Sequence, residues 1–161
     1  IYHQLSREII DSFINRMSRI DEIYLLQHSR LSSVQEPYGE IYTHPFEVRV
    51  NKEITIWFIH NGGVDKYALS NEIENVNPVL YTDSWIAAMY IGKVLNNCIT
   101  GVNNVDECVL EAYEGLRKHT LSALNTGLLV LYRDKPFIYA SFYHVNYDSL
   151  SVDLSGYYIL N

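Results

Sequence analysis

An α+β domain is what the sequence predicts, and three observations predict it. Runs that read as strands fall into sets on either side of two helical patterns, without the strict strand-helix-strand alternation of a doubly wound parallel sheet, so antiparallel strands with stacked layers are expected. The 161 residues are 48% hydrophobic and 19% charged, which suits one globular domain over residues 1–161 with a single core. No stretch approaches the ~18 to 20 continuous apolar residues of a membrane-spanning helix, and no basic-then-apolar leader opens the chain.

Ile9, Ile10, Phe13, Ile14, Met17 and Ile20 recur at helical spacing between Arg7, Asp11, Asn15 and Arg19, which predicts an amphipathic helix over 6–19. The apolar run Ile23 to Leu26 predicts a strand that delivers His28, Ser29 and Arg30 to its end. Residues 31–45, with Ser32, Ser33, Pro37, Gly39 and Pro45, read as a loop long enough to have a use. Phe46 to Val50, a turn at Asn51-Lys52, and Ile54 to Ile59 predict a hairpin whose second strand ends in His60-Asn61-Gly62-Gly63.

After Pro78, Val79 to Tyr81 reads as a short strand, and Thr82 as the cap of a helix with Ile86, Met89, Tyr90 and Val94 on its apolar face. Asp83 then lies in that helix's first turn. A further helix covers Val105 to Arg117, with Cys108, Leu110, Ala112 and Leu116 as apolar positions. Leu128 to Tyr132, a turn at Arg133 to Pro136, Phe137 to His144, and Tyr157 to Leu160 predict three or more consecutive strands.

Twelve Lys and Arg against nineteen Asp and Glu give a formal charge of −7, with no basic run to track a phosphate backbone, so neither nucleic acid nor a membrane is an expected partner. Cys98 and Cys108 have no CxxC spacing and read as two structural thiols of a reducing, cytoplasmic setting.

Four places interrupt the apolar runs: His28-Ser29-Arg30, Thr43-His44-Pro45-Phe46, His60-Asn61-Gly62-Gly63 and Thr82-Asp83-Ser84. Taken singly each has an ordinary explanation. Asn-Gly is a turn signal, Arg30 a solvated or paired cation, Asp83 a carboxylate favoured by a helix dipole, and His44 part of an extended loop before proline. Taken in order, they resemble the class II, or N-terminal-nucleophile, glutamine amidotransferases. That family shows a strand ending in His-x-Arg, a Ser/Thr-bearing loop, a His-Pro-[Phe/His] step, a strand ending in His-Asn-Gly, and an Asp-[Ser/Thr] helix start. The likeness covers about residues 23–95 and is nearest to small stand-alone predicted amidotransferases.

The resemblance implies a four-layer αββα sandwich of antiparallel sheets, the fold of N-terminal-nucleophile hydrolases, with its N-terminal part missing from this sequence. It also implies hydrolysis of the glutamine side-chain amide to glutamate and ammonia through a cysteinyl thioester. Arg30 would hold the substrate carboxylate through its planar fork, and Asp83 would accept the ammonium. Asn61 and the Gly62 N–H would form the oxyanion hole, and Ser33 would help seat the substrate. His44 and His60 would shape the pocket. The nucleophile is an N-terminal cysteine whose own α-amino group serves as base; Ile1 cannot play that part, so the cysteine is expected upstream and this chain alone is expected to be inactive.

Three departures from the pattern stand out. Leu31-Ser32 follows Arg30 where Trp or Ala with Thr is frequent, Trp85 follows Asp83-Ser84 where Glu is common, and Gly63 adds a second glycine. The implied partners are L-glutamine and an ammonia-accepting synthetase domain or subunit, which this sequence does not contain. No flavin, nucleotide or metal motif is present, so no cofactor is expected. The alternative is a non-catalytic amino-acid-binding or regulatory module that keeps the pocket. A zinc site using His28, His44, His60 and Asp83 is disfavoured, because no HxxxH-type pair supports it and Asn61-Gly62 would go unused.

Overall fold

The structure is a computed structural model that describes residues 39–99 and 104–145, together with 11, 12, 15, 22 and 24–28. Four strands form one antiparallel sheet in chain order: β1 (Phe46–Arg49), β2 (Ile54–Val64), β3 (Thr120–Tyr132) and β4 (Lys135–Ser141). Three helices lie between β2 and β3: α1 (Lys66–Asn71), α2 (Asp83–Cys98) and α3 (Val105–Lys118). The α+β class is thus observed, with the helices grouped between strand pairs. One sheet is seen among the described residues, and Tyr157 to Leu160, expected as a strand, lie outside them.

Alternation makes the core. Ile54, Ile56 and Phe58 point to one face of β2 and meet Leu128 and Val130 from β3 and Phe46 from β1. Against this apolar face α2 lays Ile86, Ala87, Ile91 and Leu95, and α3 packs on α2 with Cys108, Ala112 and Leu116. The hairpin turn of β1 and β2 is held by Asn51, whose side-chain oxygen accepts the Glu53 and Ile54 N–H groups. Arg133 and Asp134 both take positive φ, 49° and 62°, as a two-residue turn between β3 and β4 requires.

Several expectations are corrected. Tyr24 to Leu26 form no strand; four apolar residues specify one only where a neighbour pairs with them, and Tyr24 and Leu25 are exposed. Val79 to Tyr81 are not a strand either. Asn77 caps a single 3-10 turn at Pro78–Leu80, accepting the Val79 N–H at 3.1 Å, and proline is preorganised for that start. Leu110 is exposed rather than on α3's apolar face. Helix α1 was not expected; Asp65 caps it through the Tyr67 and Ala68 N–H groups. Of the helix expected over 6–19, Asp11, Ser12 and Asn15 are helical and the rest lies outside the described residues.

Cys98 and Cys108 are not two separate thiols. They form a disulfide with Cα atoms 5.6 Å apart, joining the end of α2 to the first turn of α3. Among the described residues no helix is long and apolar enough to cross a membrane.

Candidate functional site at the end of the sheet

His60-Asn61-Gly62-Gly63 is not a turn. β2 runs through it to Val64, because β3 extends far enough to pair with every step up to Gly62. The ladder then resumes at Val64 opposite Thr120, so Gly63 alone faces Leu121 to Ala123 in a bulge. Gly62 has φ 146°, and a Cβ there would overlap the Ala123 carbonyl oxygen. Glycine is therefore what lets that carbonyl turn toward the ring of His60.

His60 continues the helix-facing row of β2 and is 3% exposed. Its Nε2 lies 3.2 Å from the Ala123 carbonyl oxygen and its Nδ1 2.9 Å from Ser84 Oγ. Burial pushes its pKa below the ordinary 6.5, against the opposing pull of the Asp83 carboxylate and the Ala123 carbonyl. A neutral imidazole carries one N–H, and a carbonyl oxygen only accepts. These partners therefore assign the proton to Nε2 and leave Nδ1 as acceptor of the Ser84 hydroxyl.

Thr82 caps α2 by accepting the Trp85 N–H at 3.2 Å, which sets Asp83 and Ser84 in the first turn. Asp83 Oδ1 accepts the Ser84 N–H at 2.6 Å, and Oδ2 accepts the Val64 N–H at 3.1 Å. The carboxylate thus ties the start of α2 to the end of β2 beside Gly63, in a half-buried position. Its remaining lone pairs are available to a cationic ligand group.

The structure brings together His60, Gly62 and Asp83 and adds Gly63, Ser84 and Ala123. It sets Asn61 apart from His60 on the opposite, exposed face of β2, in register with Asn125. The His44 ring lies between those of His28 and Phe46, tilted to both, with ring centroids 4.2 and 4.5 Å away, and Phe46 reaches Trp85 of α2 at 6.0 Å. His44 is thereby linked through rings to the first turn that carries Asp83. Arg30 and Ser33 lie outside the described residues. Among the described residues no three His, Cys, Asp or Glu side chains converge as a metal ion requires, His28, His44, His60 and Asp83 included.

Sequence reading missed Ser84 as a partner of His60, because serine after a capping threonine is common. It missed Ala123 altogether, since a backbone carbonyl leaves no trace in residue type. It also missed the hydroxyl chain beside His60, in which Tyr113 Oη lies 2.6 Å from Thr126 Oγ1, Thr126 lies 2.9 Å from Ser141 Oγ, and Ser141 donates to the Leu124 carbonyl. No protein-family model, curated protein or solved structure matches this chain.

Proposed function

We propose that the polar end of the sheet is a glutamine site of the class II amidotransferase type, and that the mature protein converts glutamine and water to glutamate and ammonia. The observation that carries this reading is the half-buried Asp83 carboxylate, held by two backbone N–H groups beside the Gly62-Gly63 bulge. An α-ammonium is the ligand group such a carboxylate suits.

In this reading Arg30 and Ser33 seat the carboxylate end of glutamine. A thiolate from an N-terminal cysteine attacks the side-chain carbonyl, Asn61 and the Gly62 N–H receive the oxyanion, ammonia departs, and water opens the thioester. His60 and His44 shape the pocket from behind. The αββα sandwich belongs to the same proposal; Trp57, Ile59, Leu129, Leu131 and Ile138 make the sheet face away from the helices apolar, as a face packed on a second sheet would be. An ammonia-accepting partner and a cytoplasmic setting are proposed with it. The Cys98–Cys108 disulfide favours an oxidising compartment instead, so the redox state of that pair in protein from its native source decides the location.

The test begins with the mature N-terminal residue of the protein made from its complete gene, followed by assays of glutamate and ammonia release. Turnover that depends on a terminal cysteine, and that Asn61→Ala lowers more than it lowers affinity, supports the enzyme. Arg30→Lys should impair glutamine recognition with the fold intact. Binding without turnover favours the amino-acid-binding module, and neither binding nor turnover overturns the reading.

A further inference from the structure

We propose that Ser84 is a positioning residue that relays the protonation state of His60 to the carboxylate of Asp83. The inference rests on the glutamine reading for its effect on ligand, but its structural core does not.

Ser84 has one hydroxyl hydrogen and two acceptors within reach, His60 Nδ1 at 2.9 Å and Asp83 Oδ1 at 3.1 Å. While His60 is neutral, its Nε2–H is committed to the Ala123 carbonyl, so Nδ1 is a bare acceptor and takes the Ser84 proton. Asp83 then keeps both oxygens for the Ser84 and Val64 N–H groups and for an incoming ammonium. When His60 gains a proton, Nδ1 becomes a donor to Ser84 Oγ, and the hydroxyl must turn. The acceptor it turns to is Asp83 Oδ1, which now spends a lone pair internally and offers less to a cation.

The charge of His60 acts on Asp83 directly through space and also through the Ser84 hydroxyl, and the second route is the one that Ser84→Ala removes. From α2 it faces Asp83 and Ser84, and from β3 the Ala123 carbonyl and its cross-strand neighbour Thr126, behind which stands the Tyr113 hydroxyl of α3. On β2 it has the Phe58 ring stacked at 6.1 Å on one side and Gly62 beside Nε2 on the other, neither of them titratable. At 3% exposure the ring cannot touch a ligand itself, so it acts through Ser84.

The experiment follows ring-nitrogen shifts of His60 and the side-chain carboxyl carbon of Asp83 by NMR across pH in the whole protein, and L-glutamine affinity by calorimetry at the same pH values. Expected are a proton on Nε2 at neutral pH, an Asp83 step at the His60 midpoint, and affinity weakened about threefold to tenfold below that midpoint. Ser84→Ala should shrink the Asp83 step and flatten the affinity profile, and Ser84→Thr should restore both. A proton on Nδ1 at neutral pH, or an unchanged Asp83 step in Ser84→Ala, overturns the relay. Absence of glutamine binding to the unsubstituted protein counts against the glutamine site, and the NMR step still decides the relay.

Discussion

Two stretches of one strand behave oppositely on the same face of the sheet. From Ile54 to Phe58, β2 buries Ile54, Ile56 and Phe58 against Leu128, Val130 and the apolar side of α2; two residues later the same face carries His60, then the Gly62-Gly63 bulge and the Asp83 carboxylate. His60 is buried as Phe58 is, yet one stretch is held by packing and the other by hydrogen bonds. The first tolerates change in proportion to volume, because dispersion and burial scale with atoms removed. The second depends on which atom donates and which accepts, since a buried polar group without its partner is destabilising out of proportion to its size.

Removing the largest core side chain sharpens the contrast most. Phe58→Ala should lower stability by about 3 to 5 kcal/mol in denaturant titrations while leaving the assignment of the His60 proton unchanged. Gly62→Ala comes next, at about 1 to 3 kcal/mol, because its Cβ meets the Ala123 carbonyl and its φ is unfavourable for an L side chain. Unlike Phe58→Ala, it should also displace the Nε2 partner of His60, visible in ring-nitrogen shifts. Equal effects of the two substitutions on His60 would erase the distinction.

The fold was legible where periodicity met a stop signal. Thr82 before Ile86 and Tyr90 marked α2, and Asn51 between two β-branched runs marked the hairpin. The His60 to Gly63 segment misled because Asn-Gly favours a turn locally, and only the length of β3 keeps it in a ladder. Val79 misled for the opposite reason: Asn77-Pro78 gave the 3-10 turn a cap and a start that an apolar triplet could not outweigh. Of the candidate site, Asp83 and His60 were legible as residue types. Their connection through Ser84 and the Ala123 carbonyl was not, because it exists only once α2 and β3 meet the end of β2.

Smaller effects probe the polar region alone. The Tyr113 hydroxyl is held up to about 12 by burial, and with Ser141 donating to the Leu124 carbonyl the chain runs from Tyr113 through Thr126 to Ser141. Tyr113→Phe removes the first donor and should lower stability by about 0.5 to 1.5 kcal/mol in the same titration.

Smallest is a slope with pH. Because the folded pKa of His60 lies below its unfolded value of about 6.5, the unfolded chain takes up a proton first, so His60 contributes a loss of stability as pH falls below about 6.5 that levels off beneath the folded value. Above that window it contributes none. His60→Gln should flatten this part of the stability profile, and an unchanged profile would show that His60 titrates as it does in the unfolded chain.

The most direct test of the amino-acid site is a titration of L-glutamine into isotope-labelled protein, followed by backbone amide shifts. Recognition at the end of the sheet predicts saturable shifts at Gly62, Gly63, Val64, Asp83 and Ser84, still positions at Ile56, Phe58 and Val130, and loss of the response in Asp83→Asn. No shifts at millimolar glutamine, or shifts that survive Asp83→Asn unchanged, would contradict it.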